Sequence, residues 1–256
     1  MNKKLLLTVV IAMLVTVTKA ADKKESVKSD DGKNLIKLNL TGLPLRTYSG
    51  TYERAIGKKI SAGIGFRYMG EGKLPFLDDI KSAIDDPETN KHISNLKLGN
   101  YAITPEVKFY MGKGVFRGFY IAPFVRYAVY SADLPFEFTY EDQNNIEKTE
   151  KIPLSGNVTT ITGGLMFGAQ WKLSKRIYLD WMILGPNAGS AKGDITGNKT
   201  LSDDERDGLQ KEIDKLKDSD IPMLKLSGEA TNNGARIDFS GPWAGLRAGI
   251  NLGFRF

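Results

Sequence analysis

The sequence contains no cysteine and one histidine, His92, in 256 residues. The lack of cysteine excludes disulfides, thiolate metal sites and a lipidated N-terminal Cys. A single histidine, preceded by Asn90 and Lys91, has no nearby partner at triad or metal-ligand spacing and gives no triad and no metal cluster. No nucleophile elbow, HExxH or P-loop pattern occurs, and the stretches GEGK, GKG and TGG lack phosphate-loop spacing. The acidic pairs Asp78-Asp79, Asp85-Asp86 and Asp203-Asp204 lack EF-hand spacing and read as solvated helix ends. These absences predict a protein that is not an enzyme and that needs no cofactor and no metal. No basic block suggests nucleic acid.

A long apolar run is also missing. Residues 5–17 are apolar but shorter than the ~20 residues of a membrane-spanning helix. Lys3 and Lys4 precede this run, and Ala20 stands where a small cleavage-site residue is expected, so residues 1–20 read as a secretory signal peptide. The formal net charge of +6 then falls to +3 as Lys3, Lys4 and Lys19 leave. Residues 21–33 form a polar lead-in. Without a spanning helix, the one remaining way to cross a bilayer is a closed barrel, which pairs every backbone group.

What the sequence does have is alternation with period two, the spacing of strands. The end of the chain, AGLRAGINLGFRF, places Leu246, Ile250, Leu252, Phe254 and Phe256 on one face and Arg247, Asn251, Arg255 and glycines on the other. Similar alternation runs through NLIKLNLTG, LRTYSGTYERA, KISAGIGFRYM, GNYAITPEVKFYM, RGFYIAPFVRYAVY, VTTITGGLMFGAQWKL and RIYLDWMIL. Pro105 and Pro123 fall inside two of these segments and predict bulges or local edges there.

Eight such segments predict an all-β, eight-stranded antiparallel transmembrane β-barrel over residues 34–256. Turns at IGKK, GKGVF and LSKR are short. The other connections include long loops at about 70–97 and 187–240 and a polar loop at EDQNNIEKTEK. Short turns at one end and long loops at the other are the outer-membrane pattern, with both termini periplasmic and the long loops extracellular. Two loops carry helix signals. Phe76, Ile80 and Ile84 are spaced as a helix, as are Leu209, Ile213 and Leu216 behind a Ser202/Glu205 capping box.

Alternation projects Lys37, Glu53, Arg67, Glu106, Lys108, Arg126, Asp180, Arg247 and Arg255 into the lumen. An eight-stranded barrel is only wide enough for side chains, so inward glycine makes room for inward arginine. Charges in so narrow a space must pair, which predicts that Arg67, Arg126 and Arg247 share Glu53, Glu106 and Asp180 as counter-charges. The terminal series Ile250, Leu252, Phe254 and Phe256 resembles the C-terminal signal read by the barrel-assembly machinery.

The stretches GTYERAIGKKISAGIGFRY and ITPEVKFYMGKGVFRGFYIAPFVRY resemble the outer-membrane barrels of Bacteroidota grouped as domain-of-unknown-function family 3575. The resemblance covers residues 34–130 and the last strand. It implies a barrel in the outer membrane and no particular activity. Three functions are weighed on this basis. The first is a non-enzymatic barrel with a plugged lumen, bound in outer-membrane lipid, whose surface loops bind a protein or glycan or support the envelope. The second is a narrow pore for small solutes or ions. The third is a lipid-modifying or proteolytic barrel enzyme, which the lack of a histidine constellation disfavours.

Overall fold

The computed structural model describes residues 32–73, 75–77, 81–82, 94–217 and 225–256. The expected signal peptide, most of the lead-in, His92 and most of the helix expected near Ile80 lie outside the described residues. Nine strands form one antiparallel sheet: β1 (Asn34–Asn39), β2 (Thr47–Ala55), β3 (Ile60–Lys73), β4 (Lys97–Tyr110), β5 (Gly118–Glu141), β6 (Glu147–Lys172), β7 (Ile177–Asn198), β8 (Lys225–Thr231) and β9 (Gly234–Arg255). A helix, α1 (Asp203–Lys217), precedes β8.

The sheet closes on itself. Each of β1 to β6 pairs with the next, β7 pairs with β9, and β9 pairs with β1 through Ile36↔Phe254 and Leu38↔Leu252. Eight strands therefore form the ring. The ninth, β8, was not expected from the sequence. It stands outside the closure, paired to the far end of β9 from Lys225↔Ser240 to Thr231↔Gly234. Its KLSGEAT stretch alternates, but Leu226 is its one large apolar residue, so the signal is weak.

Two further corrections concern the ladders. Pro105 and Pro123 make no bulge: β3 meets Pro105 at Ile64, β6 meets Pro123 at Leu165, and the register is unchanged on both sides. In the β4–β5 ladder, however, both prolines fall at unpaired positions, the local edges expected of them. The register shifts fall at Met69/Gly72, Phe167/Gly168 and Met182/Gly185 instead. The polar stretch expected as a loop after β5 is mostly strand. β5 and β6 stay paired up to Glu141↔Glu147, and Asp142 closes the turn by accepting from the backbone of Asn144 and Ile146. Likewise, residues 187–198 and 234–240 of the expected long loop belong to β7 and β9.

The long strands β5, β6, β7 and β9 thus rise beyond the ring as an extension with its own core of Phe138, Ile152, Leu201, Leu209, Ile213 and Ala235. Leu209 and Ile213 of α1 pack onto these strands, as a helix with one apolar stripe must; the Leu216 side chain lies outside those described. Ser202 and Glu205 cap α1 reciprocally, through Ser202 N–H to Glu205 Oε2 at 2.7 Å and Glu205 N–H to Ser202 Oγ at 3.3 Å. Gly208 lets α1 approach the Thr139 carbonyl and Tyr140, contacts that any Cβ would prevent. Gln210 Oε1 accepts from the Ala230 N–H of β8 at 2.8 Å, which ties the helix to that strand.

Candidate functional site in the barrel lumen

The lumen collects alternate residues of the eight ring strands, and polar residues survive there only because they find one another. Lys37, Glu53, Glu106, Lys108, Arg126, Asp180 and Arg255 are buried, and Arg67 and Arg247 are half-buried. Strand parity brings these nine to the interior. Which of them meet depends on the stagger between strands.

The central contacts form a compact network. Asp180 and Glu53 are fully buried. Lys37 Nζ lies 2.6 Å from Glu53 Oε2 and 2.5 Å from Asp180 Oδ2. Lys108 Nζ lies 2.8 Å from Asp180 Oδ2 and 3.6 Å from Glu53 Oε2. The hydroxyl of Tyr120 donates to Asp180 Oδ1 at 2.7 Å, that of Tyr110 to Glu53 Oε1 at 2.5 Å, and Ser61 also donates to Glu53. Two lysines and two carboxylates balance in charge, and three hydroxyls satisfy remaining lone pairs, so both carboxylates are stabilised without water. The network crosses from β1 and β2 to β4, β5 and β7.

This corrects the expected pairing. The lysines, not the arginines, hold Glu53 and Asp180. Among the three expected arginines, only Arg247 approaches a carboxylate of the described residues, with NH2 3.6 Å from Glu106 Oε2, and Glu106 also faces Lys108 at 3.8 Å. Arg126 donates to Thr104 Oγ1 at 3.2 Å. Arg255 donates to Tyr178 at 2.8 Å and to the Gly32 carbonyl at 2.6 Å.

Glycine makes room here for aromatic rings and not, as expected, for arginine directly. A Cβ on Gly168 would strike the Tyr120 ring, and one on Gly164 would strike the Phe124 ring, on which the Arg247 guanidinium stacks at 4.4 Å. The short-turn end is filled by apolar packing. Phe116 turns inward from the β4–β5 turn at φ 65°, is fully buried, and meets Tyr110 and Tyr178 edge-on at 6.2 Å each. Sequence reading overlooked Phe116, Tyr110, Tyr120 and Tyr178. The three tyrosines share inward parity with Lys108, Arg126 and Asp180 and could have been found. Phe116 lies in a turn, where alternation carries no signal.

Outside the ring, the terminal residues Ile250, Leu252, Phe254 and Phe256 are exposed, in one band with Ile36, Leu38, Ile64, Phe66, Ile103, Phe119, Leu165, Trp181 and Leu246. Tyr48, Tyr68 and Tyr101 stand in register on β2, β3 and β4 and are exposed as well. Asp203 is bonded to Arg206 and Asn232.

A closed antiparallel ring, apolar outside and crossed inside by paired charges, defines a β-barrel with a side-chain-filled interior. By sequence the chain belongs to the family described as Protein of unknown function (DUF3575), which it matches over residues 7–186. No curated protein matches it. Among solved structures, it is similar to the N-terminal β-barrel domain of Pseudomonas aeruginosa OprF at 6% identity and a TM-score of 0.26. That match covers 88% of this chain and 98% of the other. The β domain of the Bordetella autotransporter BrkA matches at 9% identity and a TM-score of 0.22, covering 89% of this chain and 99% of that one.

Proposed function

We propose that the protein is a non-enzymatic outer-membrane β-barrel whose lumen is plugged by its own side chains and which acts through the extension on its long-loop side, by binding a protein or glycan or by supporting the envelope. The observation that carries this reading is the continuous band of exposed large apolar side chains around the ring, with Leu246 73% and Phe119 62% exposed. A water-soluble monomer rarely exposes more than a few hundred Å² of contiguous apolar surface. From Ile60 to the tyrosine row at Tyr68, the band spans roughly 27 Å along the strand, or about 20 Å along the axis of a barrel with tilted strands, close to the ~25 Å expected of such a band. Tyr48, Tyr68 and Tyr101 then lie at the interface facing the extension, where aromatic residues anchor barrels. The termini, on the short-turn side, face the periplasm in this reading, and the C-terminal series is recognised by the barrel-assembly machinery.

The test is an epitope inserted between Asn144 and Asn145, at the tip of the β5–β6 hairpin, in cells fractionated by density. The reading expects outer-membrane recovery, extraction only with detergent, and antibody access to the epitope on intact cells. Recovery in a detergent-free soluble fraction would defeat it. Planar-bilayer recording separates the plug from the narrow pore, since the plug gives no steady conductance. Replacing residues 199–233 by a short turn leaves the ring pairing intact and should abolish capture of a surface ligand.

A further inference from the structure

We propose that the lumen binds one small oxyanion of the phosphate type between Arg67, Arg126 and Arg247, on the long-loop side of Glu106. The inference rests on the interior of the ring and not on where the barrel resides. Among the described residues, six cations and three carboxylates face the lumen, and the central network consumes Glu53 and Asp180 with two lysines. Around Glu106 the balance fails: among the described residues Arg247 reaches that carboxylate, which Lys108 also faces, and Arg67 and Arg126 reach none. Arg126 bonds Thr104, which pairs with Gly65, one inward position from Arg67, and Arg247 lies over Phe124, one inward position from Arg126.

Several donors there have nothing to bond. Arg67 Nε and Arg247 NH1 are buried without a hydrogen-bond partner. Arg126 is 8% exposed, and no carboxylate among the described residues lies within ion-pair distance of it. Unpaired buried charge is strongly unfavourable, so this arrangement calls for a counter-charge. A tetrahedral oxyanion offers several acceptors at once, which planar guanidinium forks match better than any monovalent ion.

The surroundings favour a small ligand. Arg247 is held from below by Phe124, and on the long-loop side Tyr130 and Trp243 meet at 5.3 Å. Asn100, at the next inward position beyond Ala102, keeps a buried Oδ1 without a donor, and a protonated phosphate oxygen is such a donor.

Equilibrium dialysis of the folded, detergent-solubilised full chain against radiolabelled inorganic phosphate tests this, with chloride holding ionic strength constant. The expected result is saturable binding of about one phosphate per barrel, weakened about tenfold or more by Arg126→Gln, as the loss of a charged hydrogen bond implies. Arg67→Gln, at a half-buried position, gives the same reading if Arg126→Gln fails to fold. Wild-type protein that binds no phosphate overturns the inference. So does phosphate binding left undiminished in a folded variant of either arginine.

Discussion

Lys37 and Asp180 stand on β1 and β7, strands separated by β9, yet Lys37 Nζ and Asp180 Oδ2 meet at 2.5 Å inside the ring. The same Asp180 oxygen receives Lys108 from β4, and its other oxygen receives Tyr120 from β5. One carboxylate therefore ties four strands across the lumen. Asp180→Asn leaves two lysines underpaired and should destabilise the barrel by roughly 3–5 kcal/mol. Glu106→Gln, which loses only contacts at 3.6 and 3.8 Å, should cost less. Urea unfolding of the reconstituted barrel checks the order, and a larger loss for Glu106→Gln would contradict this account of the network.

The short-turn end depends on Phe116. Its truncation to alanine should cost about 3–5 kcal/mol, in the range of large buried aromatics. The ion pairs of Lys37 and Lys108 with Glu53 and Asp180 do not involve Phe116, which reaches the network through Tyr110, so bilayer recordings of Phe116→Ala should remain silent. A steady conductance in this variant would mean that Phe116, rather than the ion network, is what closes the barrel.

The extension has its own core and should fail separately from the ring. Ile213→Ala removes a buried side chain between α1 and the extended strands, and a loss of about 2–5 kcal/mol is expected to fall on that packing. Limited proteolysis should cut within residues 199–217 while the ring keeps its heat-modifiable gel mobility. Loss of both together would show that ring and extension unfold as one unit.

At the tip of the β5–β6 hairpin, Lys148 and the backbone N–H groups of Ile146 and Asn144 hold the Asp142 carboxyl down to about 2, below its ordinary 3.8. A depressed value means that the folded turn binds its proton more weakly than the unfolded chain does. Its contribution is present above pH ~4 and is lost as pH falls through about 2. Carbon-13 NMR of the labelled carboxyl should show this low midpoint in wild type and a higher one, still below the ordinary value, in Lys148→Met. Equal midpoints would rule out Lys148 as the cause.

Phe256 closes the ring by exchanging backbone bonds with Asn34 at 2.9 Å, while its side chain stays exposed. Phe256→Asp keeps those backbone bonds and should reduce assembly in cells far more than it reduces the unfolding midpoint of refolded protein. Normal cellular levels of this variant would remove the C-terminal series from any role in recognition.

The sequence by itself determined which side chains turn inward. Period-two alternation is a local property of an extended chain, so Lys37, Asp180 and Arg126 could be assigned to the interior without knowing their neighbours. Glycine at 164 and 168 was readable as space for larger groups by the same argument. Tertiary structure decided who pairs with whom. Partner choice depends on the stagger between strands, which no single segment encodes, and that stagger delivered Glu53 and Asp180 to Lys37 and Lys108 while leaving Arg67 and Arg126 without a carboxylate among the described residues. It also turned polar loop sequence into the β5–β6 hairpin and added β8, since backbone pairing with a long neighbouring strand can impose extended structure where alternation is weak. Phe116 was invisible in the sequence because a turn residue has no face until the ring around it is closed.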